Sequence, residues 1–163
     1  MTILLTGEGD MGDDCLACDL AARRRPLPGG LIHRTESWLI EHCVGPLGLG
    51  TLIVKPERHV TAVADLSYAE AAELGPLLQQ ASWVASQVVD AEQVYNCLWS
   101  HEGGVPGHIH YVVQPVTRQQ MSAYGCHGPR LQVAMYGAGL TPDAGKVATV
   151  ADQARRVFAT TRP

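Results

Sequence analysis

Apolar residues fall at Leu74, Leu77, Leu78, Val84 and Val88 of the stretch YAEAAELGPLLQQASWVASQVV, the three-to-four-residue spacing of one helical face. Ser67, followed three positions later by Glu70, has the form of a capping box and marks the start of that helix. Pro76 inside the run lacks an N–H and crowds the preceding turn, which predicts a kink or local break. Elsewhere the periodicity shortens. LIHRTESWLIEHCVG reads as strand, turn, strand, and Thr51 to Val54 as a β-rich run closed by Pro56. EQVYNCLWS and HIHYVVQPV flank the glycine loop HEGGVPG, predicting an antiparallel hairpin. Beyond Arg118 the pattern weakens until TPDAGKVATVADQARRVFATT, where Thr141 as N-cap and Pro142 as first helical residue predict a C-terminal helix. Strands come first, a long helix interrupts them, and no βαβ alternation is evident. The predicted class is α+β with a mainly antiparallel sheet.

Composition narrows the function classes. The 163 residues suffice for one good core, so a single domain over 1–163 is expected, and 46% apolar with 17% charged residues is the balance of a globular protein. The net charge is −4 and no long basic block exists, so stable binding to duplex nucleic acid is not expected. The one basic cluster, Arg23 to Arg25, reads as a solvated stretch before the Pro26 to Gly30 turn, with a phosphate-facing role as the alternative. The N-terminal patch has no basic leader, and no apolar run approaches the roughly 18 residues of a membrane span; a cytoplasmic location is the expectation. Five cysteines include the pair Cys15-Leu-Ala-Cys18, which in a reducing compartment suggests metal or redox chemistry before a disulfide framework.

Side chains alternate along a strand, so His108, His110, Val112 and Gln114 share one side while Ile109, Tyr111 and Val113 share the other. The second set can pack on a core, which leaves the histidines facing a cleft or solvent. Two neighbouring imidazoles suit metal ligation, nucleophilic or acid–base catalysis, or a structural role. The glycine loop before them lets backbone N–H groups approach an anion.

VYNCLWSHEGGVPGHIHYVVQPV, taken with GTLIVKPERHV, DLSYAEAAEL and the early Cys-x-x-Cys, resembles the histidine triad (HIT) superfamily of nucleotide hydrolases and transferases, whose motif is His-φ-His-φ-His-φ-φ with φ apolar. The similarity covers about residues 15–118, leaving 119–163 as a C-terminal extension. It implies a HIT-like fold with an antiparallel sheet, one long helix and a C-terminal helix. It also implies that His110, the middle histidine, attacks the α-phosphorus of a nucleotide and holds the nucleotidyl group as a phosphoramidate. The N–H groups around Gly103, Gly104 and Gly107 are the candidate donors to the phosphoryl oxygens. Asn96 matches an asparagine that contacts the nucleotide, or else satisfies a backbone group near a strand end.

Valine stands at position 112, where the family has its third histidine near the leaving group. A positioned acid there is worth about 10²- to 10⁴-fold in rate, and valine cannot supply it. Gln114 or His101 are the candidates to replace it; otherwise the leaving group needs no acid, or the protein binds nucleotides with little turnover. The resemblance further implies a zinc site at Cys15, Cys18, His59 and His108, structural because all four positions are filled by protein. A thioredoxin-like reading of the cysteine pair wants a βαβ setting that the pattern lacks. Implied substrates are dinucleoside polyphosphates or nucleotide phosphoramidates, with transfer to a non-water acceptor as the alternative, and the implied assembly is a homodimer. Cys43, Cys97 and Cys126 read as small core residues, His33, His42 and His127 as structural, and Trp38 as core packing, with a place near the base or the dimer partner as the alternative.

Overall fold

The computed structural model describes residues 15–160; the amino-terminal apolar patch lies outside them. In chain order the elements are α1 (Leu16–Ala21), β1 (Leu31–Arg34), β2 (Trp38–His42), β3 (Leu52–Pro56), α2 (Tyr68–Val88), β4 (Gln93–Glu102), β5 (Val105–Val116), α3 (Arg118–Tyr124), α4 (Pro129–Ala138) and α5 (Ala144–Thr160). The five strands form one sheet in the order β1-β2-β3-β5-β4, every neighbouring pair antiparallel. An α+β architecture with an antiparallel sheet is what the sequence pattern predicts.

One sheet face carries Ile40, Leu52, Val54, Tyr111 and Val113, which pack with Leu77, Ala81 and Val84 of α2 and with Ala151, Ala154 and Phe158 of α5. Each fully buried aliphatic side chain there contributes roughly 1.5–3 kcal/mol. Trp38 lies wholly inside this cluster and donates its indole N–H to the Glu70 carbonyl at 3.0 Å. His33 stacks on Phe158 with ring centroids 4.5 Å apart, a structural role.

The other face is covered too, which strict two-residue alternation does not anticipate. The loop after β2 brings Cys43 and Leu47 over Val112, Ile53 and Trp99, and α4 brings Leu131 and Met135 over Val116. His42 closes that loop, donating from Nδ1 to the Cys43 carbonyl at 2.8 Å and accepting the Gly50 N–H at Nε2, 2.9 Å away.

The α2 capping box is present in full: Ser67 Oγ accepts the Glu70 N–H and Glu70 Oε2 accepts the Ser67 N–H. The predicted break at Pro76 does not occur. Pro76 and Ala72, whose carbonyl loses its partner, are both exposed, so water satisfies the carbonyl and the helix runs through. The C-terminal helix begins later than its predicted cap: Asp143, not Thr141, accepts the Lys146 N–H through Oδ1 at 3.0 Å. Two further helices precede it. Among the described residues no helix is long and apolar enough to cross a membrane.

Candidate functional site

Cys15 is the N-cap of α1 and Cys18 lies one turn on, so the helix sets both sulfurs on one side. β5 brings His108 beneath them, and the turn after β3 brings His59. The four donor atoms all lie within 4.8 Å of one another. Cys18 Sγ is 3.4 Å from His108 Nδ1 and 3.3 Å from His59 Nδ1, and Cys15 Sγ is 3.9 Å from His108 Nδ1. Nε2 of His108 donates to the Pro56 carbonyl at 2.9 Å, which leaves the Nδ1 lone pair directed at the sulfurs. Burial, with the charges of His59, Lys55 and His110, lowers the His108 pKa to about 4, so the ring is neutral at pH 7 as a ligand must be. Burial and the adjoining Cys15 raise the Cys18 thiol to about 11; a bound cation would have to displace that proton. Two sulfurs and two imidazoles in a closed set fit a metal site.

Two residues further along β5, His110 has a different environment. Its Nδ1 lies 3.1 Å from the His108 carbonyl oxygen, which can only accept; Nδ1 therefore carries the proton and Nε2 the lone pair. Burial lowers its pKa, opposed by that same hydrogen bond, so the neutral form is favoured. His110 borders a cavity of about 280 Å³ with Leu16, Ala17 and Leu20 of α1, Trp99, His101 and Gly103 of the hairpin, and Tyr136 of α4. Trp99, opposite His110 in the β4–β5 register, lies tilted to it at 6.2 Å between centroids, and Tyr136 meets the Trp99 edge at 5.4 Å.

Glu41 and Lys55 also line this cavity, although both are buried. Lys55 Nζ donates to Glu41 Oε1 at 2.6 Å and to the Ala17 carbonyl at 2.8 Å, tying α1 to the sheet. Burial raises the Glu41 pKa, and Lys55 opposes the rise. Sequence reasoning missed this pair, together with Trp99 and Tyr136. The signal for the pair was a charged residue at an inward position of each of two apolar strands, WLIEH and TLIVKP.

The other anticipated residues separate. His101 and Gly103 border the cavity. Gly103 and Gly104 have φ of +60° and +86°, the left-handed pair of a two-residue hairpin turn. A Cβ on Gly107 would lie 2.9 Å from the Glu102 Cβ, so glycine there allows the hairpin to close. Asn96 pairs with Val113 on the helix-covered face and donates to Ser82 Oγ of α2 at 3.0 Å, away from His110. Gln114 does share the His110 face, as Val112 does, yet neither meets cleft or solvent. Gln114 is fully buried and donates to the Leu47 carbonyl at 2.9 Å, because the loop after β2 and α4 cover the strand beyond His110. Of the predicted face, His110 alone is left partly open and His108 turns to the sulfurs.

No family model and no curated protein matches the sequence. Solved structures do match. A zinc-bound histidine triad family protein from Mycobacterium smegmatis superposes with a TM-score of 0.64 at 18% identity, covering 90% of this chain and 94% of that one. A hypothetical histidine triad nucleotide-binding protein from Sulfolobus tokodaii gives 0.67 at 16% identity over 89% and 92%. A HIT family protein from Bacillus anthracis gives 0.56 at 12% identity over 92% and 99%.

Proposed function

The chain has the histidine triad (HIT) fold, and from that premise we propose that it is a nucleotide-binding hydrolase in which His110 takes up the nucleotidyl group. Nε2 attacks the α-phosphorus of a dinucleoside polyphosphate or nucleotide phosphoramidate, the leaving group departs, and water releases the nucleotide from the phosphoramidate. The observation that carries this reading is the hydrogen bond from His110 Nδ1 to the His108 carbonyl, since it frees the lone pair on the nitrogen that must react. A neutral ring in a walled cavity supports it further, because no proton has to be removed before attack. Backbone N–H groups of the hairpin near Gly103 would meet the charge on the phosphoryl oxygens.

Cys15, Cys18, His59 and His108 would hold zinc, which with four protein ligands is structural: it supplies cross-linking of α1 to β5. The same reading includes a homodimer. β4 is an edge strand of ten residues, and Trp83 on the neighbouring α2 is half exposed, so pairing of two edges would satisfy the unpaired backbone and cover the indole. Light scattering giving the monomer mass would remove the dimer from the proposal.

Incubation with an adenosine phosphoramidate and a dinucleoside polyphosphate, with His110→Ala as control, tests the chemistry. His110-dependent release of the nucleoside monophosphate is expected. Saturable binding without it would favour the second reading, a metal-stabilised nucleotide-binding module with little turnover, which Val112 in the third motif position motivates.

A further inference from the structure

Val112 is the next residue after His110 on the same face of β5, and it is fully buried against Cys43, Leu47, Ile53 and Trp99. Trp99, which touches both His110 and this cluster, also forms one wall of a neighbouring recess of about 430 Å³, whose remaining lining comes from α4: Pro129, Gln132, Val133, Tyr136 and Gly137. Trp99 and Tyr136 border the recess and the catalytic cavity alike. The lining of this recess is thus uncharged and largely apolar. Glu41, Lys55 and His108 line the His110 cavity and not this recess.

We propose that the protein acts on nucleotidyl esters or anhydrides whose leaving group departs as a stable oxyanion carrying an aromatic or other apolar body, seated against Trp99 and Tyr136. This rests on the reading of His110 as nucleophile, and on the leaving group lying on the Val112 side. The His110 Nε2 lone pair forms the N–P bond as the P–O bond breaks, and both electrons of that bond stay on the departing oxygen, which takes no proton. Water then adds to phosphorus and loses a proton to solvent, while the N–P electron pair returns to Nε2. A poor leaving group such as an amine or alkoxide needs a proton in flight to depart quickly, and valine at position 112 has none to give. Of the two substrate classes proposed above, the polyphosphate is therefore the faster and the phosphoramidate the slower. α4 thereby acquires a role: it builds the far wall of the leaving-group recess.

The test is a series of adenosine 5′-phosphoryl esters with phenols of graded acidity, from nitrophenyl to methoxyphenyl, and a methyl ester for comparison. kcat/KM is expected to fall steeply as the phenol becomes less acidic, by more than the about 10²-fold that a positioned acid would hide across the series. Val112→His should raise the poorest esters by up to about 10²-fold and leave the nitrophenyl ester within a few-fold. Should that variant fail to fold, Trp99→Leu and Tyr136→Ala provide a second measurement, raising KM for the aryl esters but not for the methyl ester. A shallow, His110-dependent profile in the wild type would overturn the inference alone, and its steepening in His101→Gln or Tyr136→Phe would identify the acid. Turnover unaffected by His110→Ala, or none with the nitrophenyl ester, would overturn the nucleophile reading as well.

Discussion

Lys55→Met leaves the Glu41 carboxyl without its counter-charge in a place where the side chains are 0% and 3% exposed. Stranding one member of a buried pair costs about 3–5 kcal/mol. Glu41 can take a proton to escape part of this, since burial already raises its pKa and Lys55 is what opposes the rise, so the lower end of that range is expected at pH 7. Glu41→Leu strands the ammonium in the same way. In the double variant both charges are gone and the lasting deficit is the donor lost by the Ala17 carbonyl, about 1 kcal/mol. The singles should therefore each cost several times more than the double. Urea unfolding at pH 7 measures this through the midpoint at constant slope, and each single should lower Tm by roughly 2–4 °C per kcal/mol for a chain of this size. Costs that simply add in the double would refute the reasoning, as would singles below about 1 kcal/mol.

Arg58 and the Ser67 N–H hold the Glu70 carboxyl down from 4.5 to about 2; since the folded value is the lower, the stabilisation is full above about 4.5 and lost as pH falls towards 2. Unfolding free energy measured across that window should decline less in Glu70→Gln than in the wild type. Elemental analysis should find about one zinc per chain, and both chelation and Cys15→Ser should lower Tm; a metal-free chain of unchanged stability would reject the site. Gly29 has φ of +78° and a Cβ there would lie 2.5 Å from the Ala151 Cβ, so Gly29→Ala should cost on the order of 1–3 kcal/mol. Adding Ala151→Gly should restore only part, because the clash is relieved and the backbone strain is not.

What was legible from sequence is what is local. The α2 capping box, the hairpin around Gly103 and Gly104 and the alternation of β5 follow from residues within a few positions of one another. The joining of Cys15 and Cys18 to His59 and His108, and the face that β5 turns to them, needed the resemblance or the fold. α3 and α4 escaped although Thr117 and Gln120 form a second capping box and Gly125 and Gly139 end their helices in left-handed conformation. Amphipathic periodicity over such short helices is weak, so caps were the usable signal. Gln114 shows the opposite limit. Its side of the strand was assigned correctly, but which side chains a distant loop and α4 lay over that side is a property of tertiary packing, and no pattern within β5 encodes it.

Six residues make α1 far too short to persist alone in water, so it stays helical only through what grips it. Besides the buried Leu20, those grips are the sulfur–imidazole cluster and the Lys55 bond to the Ala17 carbonyl. Release of either loosens a wall of the cavity around His110, since Leu16, Ala17 and Leu20 stand on that helix. Amide hydrogen exchange should accordingly find α1 opening well before the strands beneath it, with the His110 imidazole laid bare to bulk solvent each time the helix swings out.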